Sequence, residues 1–167
     1  MKSKHLALGG IFTAISLIFL YLSTLISINK LFLLGLASCV IPLSIITTNI
    51  KNSLIVYTAT SILTFILVPS KAISILYVLL FGIYGFVKYF IEKLRNTPIE
   101  ILLKLLFFNT SLLLVYSLYN ALFTEIIQIK FSVIILIMLL QAFFILYDYV
   151  LTAFVSYSNK NLVKKIK

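Results

Sequence analysis

The sequence predicts an all-α fold: a polytopic membrane helix bundle of about six transmembrane helices, with both termini in the cytoplasm. Three observations carry this expectation. First, 62% of the 167 residues are apolar, 11% are charged, and the mean hydropathy is +1.18. A soluble domain holds about 45–50% apolar and about 25% charged residues. A chain of this composition cannot cover itself with polar groups in water, and lipid tails remove that requirement. Second, charges cut the chain into runs about as long as one bilayer crossing. Third, basic residues collect on one side of those crossings.

No formal charge interrupts Leu6–Asn29, Leu31–Ile50, Asn52–Ser70, Ala72–Val87, Leu105–Thr124 or Phe131–Tyr147. Each run approaches the roughly 20 residues that cross about 30 Å of hydrocarbon at ~1.5 Å per residue. The fourth and sixth are short, and extend through a charged residue that snorkels, Lys88 and Asp148 respectively. The predicted spans are residues 6–28, 31–50, 53–69, 72–91, 101–123 and 131–156, in one integral membrane domain covering 1–167.

The first span follows Lys2 and Lys4. Its charge-free run exceeds the apolar core of a cleaved signal peptide, so it reads as a retained helix. Asn29-Lys30 separates spans one and two, Lys51-Asn52 two and three, and Pro69-Ser70-Lys71 three and four. The longest polar break runs from Glu92 to Pro98, with Thr97 as the expected cap and Pro98 in the first turn of span five. Such short connections make sequential helices antiparallel neighbours. In span six, Phe131–Leu140 is apolar on both parities, unlike the alternating strands of a β-barrel.

With the N-terminus inside, Lys2, Lys4, Lys51, Lys88, Lys93, Arg95, Lys104, Lys160, Lys164, Lys165 and Lys167 face the cytoplasm, and only Lys30, Lys71 and Lys130 face outward. This is the positive-inside pattern. It accounts for the net charge of +10 without nucleic acid as a partner. The expected partner is the lipid bilayer, and the expected location a bacterial cytoplasmic membrane. The tail from Asn159 to Lys167 mixes four lysines with Leu162, Val163 and Ile166, as a segment resting on anionic lipid does.

The sequence offers little reactive chemistry. Cys39 and His5 are the only residues of their kinds, so the usual metal sites cannot be assembled within the chain. Phosphate-binding glycine loops, Ser/His/Asp sets and His/Glu metal spacings are missing. No catalytic residue, metal or cofactor is expected, and the chain does not read as an enzyme.

Four groups of residues are candidates for a functional role. Ala7, Gly10 and Ala14 form a small-residue stripe on span one, either for packing inside the bundle or for docking a membrane partner. Asn109 near the middle of span five and Gln141 near the middle of span six need partners in hydrocarbon. They either hydrogen-bond each other or line a small-molecule pocket. Tyr77 and Tyr84 on span four, beside a notch at Gly82 and Gly85, together with Tyr116 and Asn120 near the outer surface, could complete such a pocket. An interfacial aromatic belt is the other reading of Tyr116. Asp148 is an acid inside a span, at the depth of Lys88 and Lys104, and a structural ion pair is its expected use. A proton relay would need further intramembrane acids.

The stretch from Lys4 to Ile15, KHLALGGIFTAI, resembles the start of substrate-binding S components of energy-coupling-factor transporters. The resemblance implies six helices with cytoplasmic termini and a vitamin-like solute bound near the outer face. It also implies that the Ala7, Gly10 and Ala14 stripe docks on a transmembrane coupling subunit served by ATPase subunits. Against this stands a non-transport scaffold of the cell envelope, whose stripe is an assembly surface. A solute-binding subunit calls for a polar cavity open outward between spans four, five and six, whereas a scaffold calls for a packed interior.

Overall fold

A computed structural model describes residues 2–26, 28–122 and 133–163. Helix α1 runs Lys2–Leu25, α2 Lys30–Thr47, α3 Ile50–Leu67, α4 Lys71–Glu92, α5 Thr97–Leu122 and α6 Val133–Ser158. A π-helical turn over Asn159–Val163 extends α6. All six helices are long and apolar enough to cross a membrane, and no strand occurs among the described residues. The protein is a multi-pass, all-α membrane bundle. Residues 123 and 131–132 at the outer ends of spans five and six, Lys130, and the tail lysines Lys164, Lys165 and Lys167 lie outside the described residues.

Helix boundaries follow backbone chemistry more closely than they follow charge. The break between α2 and α3 falls at Thr48-Asn49, and Lys51 sits in the first turn of α3. Asn49 is the reason: its side-chain oxygen accepts the Asn52 amide at 2.8 Å and caps α3. At α5, Thr97 is the first helical residue and Pro98 follows in the first turn, while the Asn96 carbonyl accepts the Glu100 amide at 2.9 Å. Thr97 therefore stands one position inside its expected place.

Helix α4 is not uniform. Ordinary α turns over Lys71–Leu76 and Ile83–Glu92 flank a π-helical stretch over Tyr77–Gly82. Widening the helix by one residue disturbs its carbonyl ladder, and Tyr57 of α3 donates its hydroxyl to the Val78 carbonyl at 2.9 Å.

Helix α2 lies centrally, against α1, α3, α4 and α6, and α4 in turn meets α1, α2, α3 and α5. Close approach depends on small residues. A Cβ added at Gly85 would stand 2.9 Å from Pro42 Cδ, and one at Gly82 would stand 2.8 Å from the Tyr57 ring. The expected notch at Gly82 and Gly85 is thus filled by neighbouring helices. A polar seam joins α1–α4: Asn52 Nδ2 donates to the His5 carbonyl at 2.9 Å, Ser53 Oγ to Ser44 Oγ at 2.9 Å, and Ser74 Oγ to the Thr64 carbonyl at 3.3 Å.

Helix α5 packs chiefly on α4 and α6 chiefly on α2, so their backbones barely approach each other. Across an apolar 18-residue stretch of each of these two helices 17% of the residues are buried, against 56% for α4.

Candidate functional site

The outer pair of helices is tied to the rest by a charged cluster. On α4, Tyr84, Lys88 and Glu92 recur every four residues and share one face. On α6, Asp148 and Thr152 are also four apart, and α5 contributes Lys104. Lys88 Nζ lies 2.5 Å from Asp148 Oδ1 and 2.6 Å from Glu92 Oε1. Lys104 Nζ lies 2.8 Å from Asp148 Oδ2 and 3.1 Å from Glu92 Oε1. The four charges therefore close into a ring in which each lysine meets both acids.

The ring sums to zero charge, which suits its surroundings. Lys88 is only 2% exposed, and an isolated ammonium there would lose its hydration without return. Its three donors are all engaged, the third by Thr152 Oγ1 at 2.7 Å. The Tyr84 hydroxyl donates to Asp148 Oδ1 at 2.6 Å. Asp148 thus accepts twice at Oδ1, from Tyr84 and Lys88, and once at Oδ2, from Lys104.

Aromatic rings surround Tyr84. Its ring stacks on Phe107 at 5.8 Å and meets Phe144 edge-on at 5.2 Å and Tyr147 at 5.7 Å. Phe108 of α5 stacks on Phe144 of α6 at 4.3 Å, bridging helices whose backbones stay apart. The Tyr147 hydroxyl turns inward to Ser38 Oγ at 2.5 Å.

The structure brings Asp148, Lys88 and Lys104 together and adds Glu92, Tyr84 and Thr152. The sequence carried a signal for Glu92, four residues after Lys88, but Glu92 reads there as the start of a loop. The pocket candidates do not converge in the same way. Tyr77 and Tyr84 are fully buried in the core; Tyr77 finds no hydrogen-bond partner among the described residues, and Tyr84 serves the charge ring. Tyr116 and Asn120 are exposed on α5, and Asn109 and Gln141 are half-buried. No hydrogen bond links Asn109 to Gln141, because α5 and α6 do not pack closely enough. On α1, Ala7, Gly10 and Ala14 face away from the bundle. A Cβ at Gly10 would meet nothing within 4 Å, whereas one at Gly9 would stand 3.1 Å from Asn52 Nδ2. Gly9 is therefore the glycine used for internal packing.

Described cavities lie elsewhere. A groove of about 250 Å³ between α2 and α6 is walled by Phe32, Gly35, Cys39, Leu146, Tyr147 and Leu151. A smaller cavity, about 140 Å³, lies between α5 and α6 beside Lys104 and Asp148. No protein-family model, curated protein or solved structure matches the chain.

Proposed function

We propose that this chain is a subunit of a membrane complex that binds a helical partner side-on through the α1 face bearing Ala7, Gly10 and Ala14. One observation carries the reading: the small residues point outward, and the space over Gly10 is open. Small residues let two helix backbones approach closely within lipid, where apolar burial gives little drive for association. Leu6, Ile11 and Ile18, exposed on the same helix, provide the apolar surround. A bacterial cytoplasmic membrane is the location we propose for the complex, with the lysine-rich side inward.

Two forms of this role are open. In the first, the chain is a solute-binding transport subunit like the S components its first helix resembles, and the partner is a coupling subunit powered by ATPase subunits. The outward stripe supports this form. In the second, it is a scaffold of the cell envelope, supported by the aromatic packing around Tyr84 where a solute pocket was expected.

A photo-cross-linking residue placed at Ala14 in the full chain, in native membranes, tests both. An adduct with a coupling subunit of an ATPase complex, together with thermal stabilisation by a vitamin, supports transport. An adduct with an envelope-assembly protein and no such stabilisation supports the scaffold. If position 14 cross-links no more than Leu113, exposed on α5, side-on docking through α1 is wrong.

A further inference from the structure

The fissure between α5 and α6 has properties that the docking role does not use. The two helices are held together across it by the Phe108–Phe144 stack and the Lys104–Asp148 pair. The cavity of about 140 Å³ in this fissure is lined by Ile101, Lys104, Leu105, Phe144, Ile145 and Asp148. Its rim residues Ile101 and Ile145 are both about half exposed, so it opens on the flank of the bundle, where lipid lies.

The floor of the cavity offers a donor. Asp148 receives Tyr84 and Lys88 at Oδ1 and Lys104 at Oδ2. Lys104 gives two of its three N–H groups to Glu92 and Asp148. The third has no partner among the described residues, and the side chain is nine-tenths buried. A buried ammonium with a free N–H beside an apolar wall is matched by a molecule with an anionic oxygen at one end and hydrocarbon at the other.

Depth narrows the choice. Lys104 lies two helical turns from Thr97, the end of α5 that follows Lys93 and Arg95. Under the positive-inside rule this is near the headgroup boundary of the cytoplasmic leaflet, and a long side chain there reaches toward phosphates. We infer that the fissure binds one phospholipid of the cytoplasmic leaflet, with its phosphodiester oxygen accepting from Lys104 Nζ and an acyl chain running along Ile101, Leu105 and Ile145.

The test is native mass spectrometry of the full detergent-purified chain, titrated with phosphatidylglycerol, with diacylglycerol of the same chains, and with inorganic phosphate. The expected result is one retained phosphatidylglycerol, with diacylglycerol at least about tenfold weaker, the size of one charge-assisted hydrogen bond. Inorganic phosphate should not displace the lipid. Lys104→Gln should weaken binding by about tenfold or more. Because that change also opens the charge ring, Ile145→Trp, which fills the mouth and leaves every charge in place, should weaken it similarly; Ile101→Trp serves if the first does not fold. Unchanged binding in the tryptophan variant, equal affinity for diacylglycerol, or displacement by inorganic phosphate would each overturn the assignment. Loss of the lipid in Gly35→Leu, which fills the α2–α6 groove, with retention in Ile145→Trp, would do the same.

Discussion

Helices α1–α4 and the pair α5–α6 are held by different physics. The first four meet through close packing. Gly85 sits against Pro42 and Ile41, Gly82 against Tyr57, and hydroxyls and amides lock neighbours at short range. The last two expose most of their surface and attach through long side chains: a ring of four charges and a run of stacked rings. In water, apolar burial would press such helices together. In lipid that drive is weak, so backbone proximity or polar contact must supply the association. The inner four use the former and the outer two the latter.

Breaking the ring should therefore produce the largest effect. Asp148→Ala leaves two lysines with Glu92 as their only acid, and Tyr84 loses its acceptor. Losing one member of a buried ion network destabilises by about 3–5 kcal/mol. We expect thermal unfolding in detergent to fall markedly, and cross-links between α4 and α6 to fall with it. Replacing all four members by apolar residues of similar volume should recover the part of that loss due to unpaired charge, but not the cross-links between α4 and α6, since apolar contact gives little drive for association in lipid. If the apolar quadruple variant kept full stability and full cross-linking between α4 and α6, close packing and not charge would be what attaches the outer pair.

In the inner four the corresponding break is steric. Gly85→Ala places a Cβ 2.9 Å from Pro42 Cδ and 3.0 Å from Ile41 Cγ2, both on stiff groups. Overpacking of this kind typically costs about 1–3 kcal/mol, and the loss should appear as a lower unfolding temperature with the charge ring intact. An unchanged temperature would mean that α2 and α4 can separate without penalty, which their shared core argues against.

This division also explains what the sequence disclosed. Six crossings were legible because each apolar run has to match the bilayer, and a run of twenty residues without charge has few other uses. The cluster at Asp148, Lys88 and Lys104 was visible in outline, since a lone acid in hydrocarbon must meet a cation at its own depth. Glu92 was hidden because one sequence position cannot tell a helix end from a loop. The role of Tyr84 was hidden for another reason: a tyrosine deep in a span suits a pocket or a hydrogen bond to a carboxylate equally well. Helix pairing was legible through α5, since each of the first five helices packs on its sequential neighbour, but not for the last pair. The expected Asn109–Gln141 bond assumed that consecutive antiparallel helices pack closely, whereas α5 chose α4 and α6 chose α2. The π-helical stretch of α4 left no mark either, and the hydroxyl that meets its Val78 carbonyl comes from Tyr57 on another helix.

The smallest effect distinguishes two adjacent glycines. Gly9 and Gly10 are consecutive on α1 and carry the same intrinsic helix penalty, about 1 kcal/mol relative to alanine. At Gly10 an added methyl meets open space, so Gly10→Ala should raise the unfolding temperature slightly while weakening any docking through that face. At Gly9 the methyl meets Asn52, whose amide is already held by the His5 carbonyl and Thr48 Oγ1 and can give little. Disturbing that bond offsets the propensity gain, so Gly9→Ala should be less stable than Gly10→Ala by about 1–2 kcal/mol. Equal unfolding temperatures would show that the α1–α3 contact is loose, and the inner four would then not be the tightly packed half. A Gly10→Ala variant that is stable yet keeps full cross-linking at position 14 would move the partner's approach away from Gly10 along α1.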